Sequence, residues 1–195
     1  MYSSLALFKQ YINVEGNDKD ELLQLYLDSA GDVLNRLCGV TSFNQQTYEE
    51  RVEAKNTSGP FAIYLHNKPV TLITRFNGEA YLWEKGRDYI IVNDRKVVFS
   101  NFQIPFSFLN SFLIEYTAGY TSQNLPASIK IAEMNIAWGL YAQSKNLWGV
   151  QSYKLWDEQV TFATINGESP DVVFNKTKTI INQFRNFKMS RDVIL

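Results

Sequence analysis

Apolar residues recur at intervals of three and four over residues 1–40, which predicts two helices. The shorter helix lies between Ser3 and Val14. The longer one begins at Asp18 and Glu21, which have the spacing of a capping box, and it ends at Gly39. The residues expected on the buried sides of these two helices are Leu5, Phe8, Tyr11 and Ile12 in the first, and Leu22, Leu25, Tyr26, Val33, Leu34 and Leu37 in the second.

Between residues 46 and 120 the pattern changes to β-branched and aromatic residues in alternation, separated by turn residues. This pattern predicts short antiparallel strands. The pair Asn77-Gly78 is typical of a type I′ hairpin turn, and Asn93-Asp94-Arg95 is expected to turn the segment before it back onto the segment after it. Residues 46–120 are therefore predicted to form a β lobe.

Two further helices are predicted after residue 120. The first opens at Asn124-Leu125-Pro126 and has apolar residues around most of its circumference, which indicates burial on several sides, within the subunit or against a neighbour. The last runs from Pro170 to Phe187, with Ser169 as its N-cap. The predicted fold class is α+β, a single connector domain over residues 1–195. It has a helical frame (1–45 and 121–190, about four helices) and an antiparallel β lobe inserted between the second and the central helix.

Composition excludes several classes of function. Hydrophobic residues make up 45% of the chain, enough for a core, and 19 basic against 20 acidic residues argue against a general electrostatic grip on DNA or anionic lipid. The single cysteine (Cys38) and the single histidine (His66) leave no material for an internal disulfide or for most histidine-based metal and catalytic sites. No phosphate-binding loop or hydrolase motif is present. A soluble, non-enzymatic protein without a cofactor, metal, catalytic residue or membrane span is expected.

Aromatic residues are the more informative feature. Trp138 in the central helix is expected to pack in the core, whereas Trp148 and Trp156 lie in a polar connecting segment and serve equally well at an interface or in the core. The segment after the last helix retains apolar residues that need a docking place, on a partner or on the same subunit. In an alternative hypothesis the β lobe binds carbohydrate, with stacking platforms at Tyr81, Trp83, Tyr89 and Phe99.

Three stretches, in this order of segments, carry a resemblance to a known family. They are Asp20-Glu21-Leu22-Leu23 continuing to Ala30, Tyr116-Thr117-Ala118-Gly119-Tyr120, and Leu125-Pro126 followed by Ile129-Lys130 and Ala132. The chain resembles the head-to-tail connector proteins of tailed bacteriophages, the adaptor or head-completion family. Its β region is longer than the short hairpin of simple adaptors, so the role of this enlarged lobe stays open.

The resemblance implies a virion component at the neck, made in the host cytoplasm, that forms a homo-oligomeric ring, a dodecamer, between the portal protein and a tail or stopper protein. Double-stranded DNA would pass through the ring without specific contacts. The residues that the resemblance assigns to portal binding are Phe184, Phe187, Met189, Arg191, Ile194 and Leu195. Residues 147–165, with Trp148, Tyr153 and Trp156, would form a loop or hairpin at the subunit boundary or the channel. A tail-completion or neck protein is the alternative within the virion.

Overall fold

The computed structural model describes residues 1–53, 61–76, 79–80, 84–99, 111–145, 147 and 149–185. Two compact units are present, a helical unit (Met1–Thr41 and Leu125–Leu195) and a β unit (Ser42–Asn124). The predicted α+β class, with antiparallel strands between helices, is confirmed. In chain order the elements are α1 (Leu5–Tyr11), α2 (Asp20–Cys38), β1 (Gln46–Glu53), β2 (Phe61–Tyr64), β3 (Val70–Phe76), β4 (Glu79–Ala80), β5 (Tyr89–Val92), β6 (Lys96–Phe99), β7 (Ser111–Ala118), α3 (Ala127–Ser144), β8 (Val150–Leu155), β9 (Glu158–Ala163) and α4 (Pro170–Phe184).

The start of α2 differs from the prediction. The capping box at Asp18 and Glu21 is wrong, because the N-cap is Lys19 and no side chain caps the helix. The first residue of α2 is instead paired with α1. The Lys9 ammonium lies 2.6 Å from the Asp20 carboxylate, and this ion pair links the two helices. The predicted end is confirmed, since Gly39 adopts the left-handed conformation with φ 65°.

The buried side of α2 is also displaced from the predicted stripe. Leu25 is 60% exposed, so its expected place in the core is wrong. The buried residues instead follow alternating steps of four and three along the helix, at Leu23, Leu27, Ala30, Leu34 and Leu37. This spacing forms one continuous seam, and α2 packs through it against α3 and α4. Leu25 lies outside the seam.

Helix α3 is the centre of the helical unit. Its expected burial on several sides is confirmed, because α2, α4, β8 and β9 all pack against it within the same subunit. It begins one residue after the predicted start: Pro126 is the N-cap, with an extended ψ of 132°. Two of its buried side chains, Glu133 and Asn135, are polar, and both are hydrogen-bonded.

The last helix, α4, begins as predicted and is preceded by a hairpin. Ser169 has the extended backbone of an N-cap and Pro170 occupies the first turn. Before it, β8 and β9 pair in antiparallel register from Val150 opposite Ala163 to Leu155 opposite Glu158. Helix α4 ends at Phe184, and the predicted extension to Phe187 lies outside the described residues.

The described strands of the β unit form two antiparallel sheets, with strand orders β1-β7-β3-β4 and β2-β6-β5. The predicted turn at Asn93-Asp94-Arg95 is confirmed, since Asn93 and Asp94 have positive φ and Val92 pairs with Lys96. Residues 77–78 lie outside the described part of the chain, but the strands on either side pair as a hairpin requires, with Phe76 opposite Glu79.

The core of the β unit contradicts two of the four stacking platforms of the carbohydrate-binding hypothesis. Tyr89 and Phe99 have no exposed surface and pack together, with ring centroids 6.1 Å apart, among the other core residues. A buried ring cannot stack on a sugar, so the assignment of these two residues as platforms is wrong. Tyr81 and Trp83 lie outside the described residues.

Candidate interaction surface

The β8–β9 hairpin lies directly against α3 because glycine occupies the point of contact. A Cβ atom on Gly139 would lie 1.8 Å from the carbonyl oxygen of Thr161, so only glycine allows this approach of two backbones. Two side-chain bonds flank the contact: the Trp138 indole N–H donates to the Thr164 carbonyl (3.0 Å), and the Thr161 hydroxyl donates to Gln143 (3.0 Å). These contacts hold the hairpin against α3 within the helical unit. Trp138, expected in the core, is half-buried beside it.

On its other side the hairpin packs against α4 through three aromatic rings. Tyr153 of β8 stacks on Phe174 with centroids 4.3 Å apart and planes 9° from parallel. Phe162 of β9 meets Phe174 edge-on at 5.6 Å. Stacked and edge-on pairs add about 0.5–1.5 kcal/mol each to the burial of their surface. The cluster fixes the position of the hairpin relative to α4.

The phenol of Tyr153 forms a polar link at the edge of this cluster. Its hydroxyl donates to the carboxylate of Asp171 in the first turn of α4, at 2.7 Å. Desolvation by the surrounding rings, together with the nearby carboxylate, raises the pKa of Tyr153 to about 12. The hydroxyl therefore stays protonated, and remains a donor to Asp171, throughout the neutral pH range.

The tip of the hairpin contacts the end of α4. Trp156 occupies the turn with a positive φ of 56°, an uncommon conformation for a large side chain. The guanidinium of Arg185, the residue after α4, lies over its indole ring, 3.7 Å from the centroid. Cation–π contacts of this kind are worth about 0.5–2 kcal/mol. The contact joins the hairpin tip to the residue that follows α4.

The structure therefore brings together part of the predicted site. Tyr153 and Trp156 lie on the hairpin and Phe184 is the half-buried last residue of α4. Trp148 and the predicted portal-binding residues beyond α4 lie outside the described residues; these are Phe187, Met189, Arg191, Ile194 and Leu195. The sequence reasoning missed Phe174, Asp171 and Arg185. The helical period from Ser169 could have placed the first two on α4, but nothing local pairs Arg185 with Trp156.

The single cysteine and the single histidine lie outside this surface. Cys38 is buried, as predicted. His66 is exposed, and its backbone N–H donates to Glu50. In the described part of the chain, no group of three or more His, Cys, Asp or Glu side chains is arranged to hold a metal ion. No helix within the described ranges is long and apolar enough to span a membrane.

Comparison with known proteins identifies the family. The sequence profile of the head completion protein family matches residues 3–187. This chain belongs to the head completion protein family. The family match confirms the resemblance to phage connector proteins. No curated protein matches the chain.

Two solved structures share the fold of this head completion family member. One is from the neck of an empty GTA particle, computed with C6 symmetry, with a TM-score of 0.55 and 15% identity. The other is from the virion of a native gene transfer agent particle, with a TM-score of 0.52 and 16% identity. Each comparison covers 97% of this chain and 92% of the other. The shared fold thus extends over nearly the whole of both chains.

Proposed function

We propose that this protein is a structural component of the neck of a phage-like particle, where copies of it form a ring between the portal protein and a tail or stopper protein. The family match over residues 3–187 carries the proposal. The fold shared with proteins of a gene transfer agent neck and virion supports it. The dodecameric copy number is part of the proposal and rests on the resemblance alone.

The charge distribution suits a ring through which DNA passes. A closed ring uses a heterologous interface, in which each subunit presents one patch to one neighbour and a different patch to the other. The chain has a net charge of −1, whereas residues 1–40 carry a net charge of −3 and residues 171–195 a net charge of +3. A subunit whose net charge is near zero exerts little general attraction on the phosphates of duplex DNA, so it offers little resistance to sliding.

The portal contact is assigned to the end of α4 and to the residues that follow it. Arg185 lies over Trp156, so the last described residue before this segment contacts the hairpin tip. These ten residues contain Phe187, Met189, Arg191, Ile194 and Leu195. Apolar anchors with interspersed cations fit a groove on a partner that is apolar at its floor and acidic at its rim. We refer to residues 186–195 as the arm. Phe184, the last residue of α4, would lie just before it.

Deletion of residues 186–195 tests the portal assignment. The deletion leaves every described helix and strand intact. The free energy of unfolding of the truncated subunit, measured by urea denaturation, should therefore equal that of the full chain within about 0.5 kcal/mol. Attachment to isolated portal rings, measured by co-sedimentation, should fall at least about 100-fold because the anchors are gone.

The matched control for this deletion changes only polar positions, Asn186→Ala and Ser190→Ala, and should attach like the wild type. Undiminished attachment of the truncated chain to portal rings would remove the assignment. If the chain instead bound isolated tails and ignored portal rings, the alternative of a tail-completion protein would replace the adaptor role.

Replacement of Trp156 by alanine tests the hairpin tip as a subunit contact. The ring of Trp156 is half-buried and its described partner is Arg185, so its loss should lower the melting temperature by only a few degrees. Assembly on portal rings, measured by native mass spectrometry, should weaken about tenfold or more because interface tryptophans carry a large share of binding energy.

The control is Leu25→Ala, which removes an apolar side chain that is 60% exposed on α2 and should alter neither property. A large fall in melting temperature for Trp156→Ala, with assembly unchanged, would mean that Trp156 is a core residue.

A further inference from the structure

The helical unit contains an apolar groove that the described residues of the hairpin tip do not line. It has a volume of about 500 Å³, which lies within the range of about 300–1,000 Å³ typical of binding sites. It is open on one side, and α1, α3, α4 and the residues after β9 form its walls. The apolar lining residues are Ile131, Ile165, Val173 and Ile180. Ile131 is 40% exposed, unusual for an isoleucine on a central helix.

Several polar groups at the groove already have hydrogen-bond partners within the helical unit. The Tyr11 hydroxyl donates to Asn135 (2.8 Å), the Asn135 amide donates to Thr177 (2.9 Å), and the Thr177 hydroxyl donates to the backbone carbonyl of Val173 (2.8 Å). At the rim, the Lys176 ammonium is paired with the Glu168 carboxylate. A polar or charged occupant would find these groups already engaged, so the groove favours an apolar one.

We propose that this groove holds residues 186–195 of the same chain in the unassembled subunit, and that portal binding draws them out. Five of the ten residues of the occupant supply the apolar side chains that the groove requires, namely Phe187, Met189, Val193, Ile194 and Leu195. Residues 186–195 also begin close enough to the groove, and are long enough, to reach it. Helix α4 is one wall of the groove and ends only four residues after Ile180. Ten residues reach roughly 30 Å when extended, enough to turn back over that wall.

Tethering makes the contact effective even if it is weak. A segment joined to its site by a few flexible residues has an effective concentration in the millimolar range, so an affinity of about 1 mM keeps the groove half occupied or more. The same apolar side chains cannot contact groove and portal together. The groove therefore competes with the portal and covers the apolar arm before assembly. Occupation of the groove stands on the structure, whereas release by the portal rests on the proposed function.

Limited trypsin digestion of the full chain, without portal, tests the occupation. Cleavage after Lys188 and Arg191, followed by mass spectrometry, reports how often the segment leaves the groove, because cleavage follows the population of the open form. Ile131→Glu places a charge in the groove and should speed this cleavage about twofold, the limit for a groove that is half occupied. Val172→Glu is the matched control: Val172 is 41% exposed, lies on α4 and does not line the groove. Its cleavage rate should equal that of the wild type.

A second variant guards against a folding defect. Ile194→Glu leaves the groove unchanged and should speed cleavage as much as Ile131→Glu does. Equal cleavage rates in the wild type and both of these variants would overturn the proposal. Protection that disappears on dilution would also overturn it, because the occupant would then be the segment of a second copy. Slow cleavage in the wild type together with no binding to portal rings would uphold the groove contact and reject only the portal role.

Discussion

Gly139→Ala should destabilise the helical unit by about 3 kcal/mol, although alanine is the better helix former by about 1 kcal/mol. The added methyl group would lie 1.8 Å from the Thr161 carbonyl oxygen and 3.1 Å from the Cα atom of Phe162. Both are backbone atoms, so the hairpin itself has to move. That movement would disturb the packing of Phe162, which has no exposed surface, and break the bond between Trp138 and Thr164. Urea denaturation of the full chain measures the loss.

Gly16→Ala separates the steric effect from the effect of replacing a glycine. Gly16 has a positive φ of 77° and an added Cβ would contact nothing within 4 Å, so its cost comes from the backbone alone, about 1 kcal/mol. Gly139→Ala should therefore cost at least twice as much as this control. A Gly139→Ala protein as stable as the wild type would show that α3 and β9 do not approach each other so closely.

Glu133→Ala should also cost about 3–5 kcal/mol, through a different mechanism. The Glu133 side chain has no exposed surface, and its two carboxylate oxygens accept the backbone N–H groups of Tyr2 (2.7 Å) and Ser3 (2.6 Å). Burial raises the pKa of Glu133, and the two N–H donors offset part of that rise. Removal of the carboxylate leaves both donors buried without an acceptor, because Tyr2 and Ser3 are themselves buried.

Glu133→Gln is the matched variant. It keeps the volume and one acceptor oxygen but turns an NH₂ group toward the second donor, so it should cost about half as much as alanine. Hydrogen exchange gives the location of the damage: protection of the Ser3 amide should fall in both variants, while amides of the β unit stay unchanged. Equal stability of the alanine variant and the wild type would contradict the role assigned to this carboxylate.

Local signals in the sequence were sufficient for several elements. The start of α4 at Ser169-Pro170 and the left-handed stop of α2 at Gly39 depend only on neighbouring residues, and both were predicted. The start of α2 was not, because Asp20 pairs with Lys9, eleven positions earlier in the chain, and the local capping pattern does not form. The prediction that Leu25 is buried was wrong because several neighbouring stripes of α2 are apolar enough to be buried. Contact with α3 and α4 determines which of these stripes is buried.

The interaction surface was less accessible to sequence reasoning. Aromatic content singled out Tyr153 and Trp156, but the partners that fix them, Phe174 and Arg185, lie on another element and meet them only in the folded subunit. For Tyr89 and Phe99 the prediction of exposed stacking platforms was wrong, because both side chains are buried in the core of the β unit. Strands β5 and β6 have apolar residues on both faces, so alternation alone could not tell which face is the core.

The central claim is that copies of this chain assemble into a closed ring on a portal. Electron cryomicroscopy of the full-length protein mixed with isolated portal rings tests it most directly. The expected result is an added ring of subunits on one end of the portal, coaxial with its channel, with a β8–β9 hairpin at each subunit boundary. Portal rings that stay bare at saturating protein, while the protein itself remains monomeric, would contradict the account.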